Sequence, residues 1–389
     1  MTVRLSICVL TYNRRELLVQ LLNSISSSGI LKDDSVELIV MNNGSNDGTA
    51  NYLEEFAQNN RLRVVNKDSN SRGSVAYEEL FSFALGEWII APGDDDIFNS
   101  DVLAQLSEII VTTSNEVSLI PFAANTIDEF GKVTPVKFVP TKEMNSAKLM
   151  GKLMQESIFW FPSTCFRRKI VSTNVIPKTI TVFDWWIWIQ GVMLGTVSPR
   201  NEILLEYRMH SGQEQRSFAD SFWSIDYAET FNTILKDEKF RNWLELANDL
   251  EIGNMLETIS EKNNQLLMGE QKLILFKLGI LISNAKPHLK TNVLLFLINL
   301  GIDARLASVH IGTKIDSEVL VLALKMLTKK DKDTWNEMSY NELESIFQDF
   351  LTTKRKSEIE QQVTPFEWRM VRFYRKIRYL KISRMILKR

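Results

Sequence analysis

The sequence predicts an α/β domain built on a mostly parallel sheet, followed by an α-helical domain. Three observations predict it. Short apolar runs alternate with stretches of helical spacing through residues 5–91. The polar stretches 11–14, 42–49 and 94–96 each follow one of those apolar runs. Beyond residue 220, apolar positions recur almost only at helical spacing. Alternating β and α units of this length imply parallel strands covered on both faces. In such sheets ligands gather beyond the carboxyl ends of the strands, where all three polar stretches fall.

In order along the chain, 6–10 is a short apolar strand and 11–14 a loop. Residues 16–25 are a helix, with apolar side chains at 17, 18, 21, 22 and 25. Residues 36–41 are a second strand, 42–49 a loop of turn formers, and 52–56 begin a helix. A third strand covers 63–65, a helix 74–85 and a fourth strand 88–91. After that come a helix over 101–111, a strand over 117–122, a helix over 184–193 and a strand over 203–207. Helical spacing recurs in 222–235, 243–257, 272–283, 291–302, 318–327 and 342–351. The expected organisation is an α/β domain over 1–220, a helical domain over 221–355, and a charged linker with a basic tail over 356–389.

Composition sets limits. The 389 residues are 44% hydrophobic and 24% charged, as in an ordinary globular protein. Cys8 and Cys165, the only cysteines, both lie in apolar runs, which points to a reducing, cytoplasmic compartment rather than a disulfide scaffold. The N-terminus lacks a signal-peptide pattern, and no apolar run reaches the length of a membrane span. The net charge of −2 hides an asymmetry: residues 366–389 carry nine Lys/Arg against Glu367 alone, so this segment is +8 and the remainder −10. In the same segment Phe366, Met370, Phe373, Ile377 and Leu380 fall at helical spacing, with Trp368, Tyr374 and Tyr379 among them. A helix of this kind suits a membrane interface, and a C-terminal helix docked on the body is the alternative. The acidic body argues against nucleic acid as a partner.

The candidate chemistry centres on Gly93-Asp94-Asp95-Asp96. Three adjacent carboxylates repel one another and need compensation, either from a hard divalent cation or from solvent in a turn that caps the next helix. Asp184 stands in Thr181-Val182-Phe183-Asp184-Trp185-Trp186-Ile187-Trp188. A carboxylate among so many aromatics is costly to bury unless used or paired, and desolvation would raise its pKa as a general base requires. Asp is also a favoured helix N-cap.

The stretches S-I-C-V-L-T-Y-N-R (6–14), M-N-N-G-S-N-D-G-T (41–49), G-E-W-I-I-A-P-G-D-D-D-I-F (86–98), Asp184–Trp188 and Y-R-M-H (207–210) occur in that order. Over residues 1–220 the chain resembles the family 2 glycosyltransferases of the Rossmann-like GT-A fold. It is most similar to the subgroup that includes abequosyltransferases and other bacterial surface-polysaccharide enzymes. The resemblance implies transfer, with inversion, of a sugar from a nucleoside-diphosphate donor to a glycan acceptor hydroxyl, with a lipid-linked acceptor at the inner face of the membrane as the expectation. It implies Mn²⁺ or Mg²⁺ held by Asp95 with Asp94 or Asp96, and by His210. Gly93 stands where the family's first Asp usually falls, and Asp94-x-Asp96 is the other register. Thr11, Tyr12, Arg14, Asn43, Ser45, Arg72, Gly73 and Asp94 match donor-binding positions. Asp184 matches the catalytic base, and Trp185 and Ser163 fall on the acceptor side. Arg208 is expected to pair with a carboxylate or to face the diphosphate. Glu78 and Glu79 replace the Arg-Asn pair expected after Gly73. A sugar nucleotidyltransferase would need a Gly-rich, basic phosphate loop near the N-terminus, and the sequence has none.

Overall fold

The computed structural model describes residues 2–71, 73–138, 144–178, 180, 182–210, 220–261, 269–300, 302, 304–313, 319, 321–323, 342–343 and 345–346. The linker and basic tail over 356–389 lie outside the described residues. The chain divides into two compact units: one of residues 1–262 and 268–287, the other of 263–267 and 288–389.

The first unit opens with β1 (Leu5–Thr11), α1 (Arg15–Ser28), β2 (Val36–Asn42), α2 (Thr49–Asn59), β3 (Arg63–Asn66), α3 (Gly73–Ser82) and β4 (Trp88–Ile90). It continues with β5 (Ile97–Phe98), α4 (Ser100–Ala104), α5 (Leu106–Thr112), β6 (Val117–Ile127), β7 (Val133–Phe138), α6 (Ser146–Leu153), β8 (Thr164–Arg167) and α7 (Lys169–Ser172). Then follow α8 (Phe183–Leu194), β9 (Thr196–Val197) and β10 (Arg200–Arg208). Helices α9 (Asp220–Lys236), α10 (Glu238–Leu246), α11 (Asp249–Glu261) and α12 (Gly269–Ala285) complete it. The second unit holds α13 (Lys290–Asn299) and α14 (Ala304–Ile311), which pack together through Val293, Leu294, Leu297, Ala307 and Ile311. The helical stretch expected from residue 221 is thus divided between the two units.

The sheet runs β3-β2-β1-β4-β8-β6-β10-β5. The first four strands are parallel, as the alternating pattern predicts. β8 then inserts antiparallel between β4 and β6, and β10 runs parallel to β6. β8 was not expected: four wholly buried residues show no alternation by which a sequence pattern could detect them. Leu18, Leu21, Leu22 and Ile25 of α1 close one core layer against Ile7, Val9, Val36, Leu38 and Val40. Each such side chain contributes roughly 1.5–3 kcal/mol by leaving water.

Two helices expected to be continuous are each divided in two. The 101–111 stretch is α4 and α5, with Asn99 capping the first by accepting from the Asp101 and Val102 amides. The 243–257 stretch is α10 and α11. There Asn248 and Glu251 form a reciprocal box, Glu251 N–H to Asn248 Oδ1 at 3.0 Å and Asn248 N–H to Glu251 Oε2 at 2.8 Å. Among the described residues, no helix is long and apolar enough to cross a membrane.

Candidate active site

Backbone pairing brings three loops to one edge of the sheet. β1 and β2 end in register at Thr11 and Asn42, and Asn43 N–H donates to Thr11 O at 2.9 Å. Leu10 bridges Gly93, so the acidic loop leaves β4 beside the end of β1. Side chains then join the first two loops. Asn13, at φ 52°, accepts from Asn46 N–H through Oδ1 at 2.9 Å, and its own N–H donates to Ser45 Oγ at 3.0 Å. Arg15 N–H donates to Asp47 Oδ2 at 2.9 Å. Arg14, Gln20 and Asp47 line an open cleft of ≈ 850 Å³ beside this junction.

The acidic cluster is buried, and its three carboxylates have different surroundings. Arg14 Nη1 donates to Asp94 Oδ1 at 3.0 Å and approaches Asp95 Oδ2 at 3.3 Å. Asp95 Oδ2 also lies 2.8 Å from His210 Nε2. Asp96 turns inward: Oδ2 accepts from Gly93 N–H at 2.8 Å and Oδ1 from Arg208 N–H at 3.2 Å. Burial pushes Asp94 up to about 6; Arg14 pulls against that rise and the Asp95 charge adds to it. Burial, reinforced by the Asp95 charge, lifts Asp96 well above the usual carboxylate range. Thr11 Oγ1, wholly buried, faces Asp94 without completing a hydrogen bond. A Cβ at Gly93 would lie 2.6 Å from Asp95 Oδ1 and 3.0 Å from Asp96 Oδ2, so any side chain there would have to shift these carboxylates.

These residues fit a hard divalent cation in their chemistry. Two carboxylates and an imidazole converge, burial makes their charge costly, and an oxygen at Thr11 stands unsatisfied. Adjacent ligands of an octahedral ion stand ~3 Å apart, close to the observed separation of Asp95 and His210. Among the described residues, no group of three His, Cys, Asp or Glu side chains is arranged to hold a metal ion. Asp96, with both oxygens on backbone amides, is the least available of the three carboxylates.

The surroundings of the other expected site residues differ from one to the next. Asn43 is 3% exposed and is a clamp: Nδ2 donates to Asn70 Oδ1 at 2.7 Å and Ser71 O at 3.0 Å, while Oδ1 accepts from Ser71 N–H at 3.1 Å. These bonds shape the loop. Gly44 beside it, at φ +82°, has Ser69 C 2.6 Å from where a Cβ would stand, so the two loops close only over a glycine. Ser163 is wholly buried, and its Oγ donates to Phe122 O at 3.2 Å. Trp185 faces the helices: Nε1 donates to Leu153 O at 2.6 Å and the ring packs edge-on against Tyr227 and Phe231. Arg208 is 2% exposed and donates to oxygens of the fold, so it does not face open space. Tyr12, 43% exposed, keeps a free ring face, and Ser45 is half-buried. Gly73 opens α3, and Arg72 lies outside the described residues.

Asp184 is half-buried in the first turn of α8. The structure adds Tyr77, which no motif marked. Its ring contacts Phe183 at 4.9 Å and Phe161 at 5.3 Å, and it lies close enough to Arg14 to interact electrostatically. Tyr77 thus connects the start of α8 to the acidic cluster. A tyrosine on the buried face of a helix reads from sequence as core, which is why its pattern gave no signal.

Residues 6–173 match the family model described as "Glycosyl transferase family 2". The abequosyltransferase RfbV of Salmonella typhimurium is 32% identical over 110 residues, 26% of this chain and 31% of that protein. The poly(ribitol-phosphate) beta-N-acetylglucosaminyltransferase TarS of Staphylococcus aureus is 28% identical over 122 residues, 30% of this chain and 20% of that one. The chain thus spans less than a third of the length of either relative. In structure it is similar to residues 1–349 of S. aureus TarS, solved with UDP-GlcNAc, at a TM-score of 0.51 and 17% identity, covering 84% of this chain and 92% of that one. Together, the ordered motifs, the sheet and these likenesses make residues 6–173 a glycosyltransferase family 2 domain of the GT-A fold, continued here by a helical C-terminal region.

Proposed function

We propose that the protein is a metal-dependent, inverting glycosyltransferase that moves a sugar from a nucleoside-diphosphate donor to a hydroxyl of a glycan acceptor in bacterial surface-polysaccharide synthesis. The observation that carries this reading is the convergence of Arg14, Asp94, Asp95 and His210 at the sheet edge beside the joined 11–14 and 42–49 loops. Asp95 and His210, with Asp94, would hold Mn²⁺ or Mg²⁺, which when bound supplies charge stabilisation at the diphosphate leaving group. Arg14, now on Asp94 and Asp95, would reach phosphate of the donor. Tyr12 offers its exposed ring to the base, and Ser45, Gly73 and Arg72 flank the donor. Asp184 takes the proton from the acceptor hydroxyl as it attacks the anomeric carbon.

The test is a panel of nucleotide-sugars with Mn²⁺, scored for metal-dependent donor hydrolysis and thermal stabilisation. One donor is expected to respond, with the response abolished by chelation and restored by Mn²⁺. Silence across the whole panel overturns the enzymatic reading in favour of a non-catalytic scaffold. A polyol-phosphate polymer as acceptor is a second reading, favoured by the likeness to TarS, whose name states that activity. Transfer to poly(ribitol-phosphate) but not to a lipid-linked glycan decides for it.

The basic segment 366–389 suits a peripheral membrane anchor on the cytoplasmic face, which would bring the site to a lipid-linked acceptor. Each basic group near an anionic surface contributes roughly 1 kcal/mol. The full chain is expected to pellet with phosphatidylglycerol vesicles and a chain ending at 365 to stay in the supernatant. Equal pelleting of both removes the anchor.

A further inference from the structure

Arg208 is the last residue of β10, and its guanidinium is buried among oxygens drawn from three separate elements. Nε donates to the Asp95 carbonyl at 2.8 Å, Nη1 to the Asp128 and Glu129 carbonyls at 3.3 Å each, and Nη2 to Gln20 Oε1 on α1 at 2.8 Å. Its own N–H holds Asp96 Oδ1. The turn between β6 and β7 that it grips is a closed unit: Asp128 Oδ1 accepts from the Phe130 and Lys132 amides, and Gly131 sits at φ +83°. The tip of that turn carries Phe130, 87% exposed.

Within 93–96 the turn is closed by Gly93 N–H on Asp96 Oδ2 and Asp96 N–H on Gly93 O, and neither bond involves the Asp95 carbonyl. Its peptide is fixed from outside, by Arg208. His210, which meets that carboxylate, is two residues beyond Arg208 on the same strand end. One buried cation therefore sets both the peptide that carries Asp95 and the chain that carries His210, and braces them against α1 and the β6–β7 turn. A planar fork of five donors can span these acceptors at once; a single ammonium cannot.

We propose that Arg208 is a positioning residue for the cation site, locking Asp95 and His210 at their mutual distance by tying both to the β6–β7 turn and to Gln20. This rests on the reading of Asp95 and His210 as metal ligands. Groups that orient ligands typically alter metal affinity by roughly 10- to 100-fold when replaced.

The test is Mn²⁺ binding to the full-length protein without donor, followed by the loss of the free-ion paramagnetic resonance signal, for the wild type, Arg208→Lys and Gln20→Leu. Arg208→Lys keeps the charge but not the fork, and is expected to weaken Mn²⁺ by roughly 10- to 100-fold. Gln20→Leu removes one acceptor on an exposed helix face and is expected to weaken it several-fold in the same direction, with an unaltered melting temperature. Leu244→Ala, in the core of α10, is the control for general destabilisation and is expected to bind as the wild type does. Wild-type protein that binds no Mn²⁺ overturns the metal site and this role together. Mn²⁺ bound equally by the wild type, Arg208→Lys and Gln20→Leu overturns the positioning role alone. Should Arg208→Lys fail to fold, unchanged affinity in Gln20→Leu is sufficient to overturn it.

Discussion

His210 Nε2 lies 2.8 Å from Asp95 Oδ2, although 115 residues separate them in the chain. The contact is made by strand pairing. Leu205 and Glu206 of β10 pair with Phe98 and Ile97 of β5, which carries the end of β10 to the acidic loop. Replacing His210 with Ala is expected to lower Mn²⁺ affinity by roughly 10- to 100-fold while leaving the fold intact, because the imidazole is at the rim of the sheet. Titration calorimetry with Mn²⁺ measures it, and equal affinities count against His210 as a ligand.

Asp184→Asn keeps the size of the side chain in the first turn of α8 and removes its basicity. Transfer is expected to slow by ~10²–10⁴-fold with donor affinity and melting temperature unchanged. Single-turnover transfer, measured beside donor binding, separates the two. Full-rate transfer by the variant moves the base elsewhere.

Asn43→Ala is expected to lower stability by about 1–3 kcal/mol, because the Ser71 amide and the Asn70 side chain lose their partner beneath a buried loop. Urea denaturation reads this directly. An unshifted midpoint means that the 69–71 loop is held by other contacts.

Gly93→Asp restores the residue that the family usually carries there, and is nevertheless expected to weaken metal binding. A Cβ at position 93 stands 2.6 Å from Asp95 Oδ1 and displaces it. Tighter Mn²⁺ binding by the variant indicates that Asp95 has room to relocate.

The parallel half of the sheet was legible because β1 to β4 are apolar runs separated by turn formers, and their loops name the shared sheet edge in advance. β5, β7, β8 and β9 were not, because two- to six-residue strands acquire their identity from neighbours rather than from internal pattern. In the site, the meeting of Asp95 and His210 could be expected from motif order alone. The structural duties of Asn43, Asp96 and Arg208 could not, since the same polar residue serves a ligand or a backbone amide according to which way it turns. Ser163 and Trp185 show the same limit from the other side: each lies near the right motif and is oriented into the core.

β10 arrives last among the strands of the sheet, yet it brings the imidazole to the carboxylates. A growing polypeptide released only as far as residue 173 therefore contains the acidic triplet without its partner, and carries three crowded carboxylates with no His beside them. Pairings so distant in sequence form late, after the loop-closure entropy of the intervening chain has been overcome. The contact between His210 and Asp95 is thereby a report that synthesis has passed β10 and that the sheet is complete.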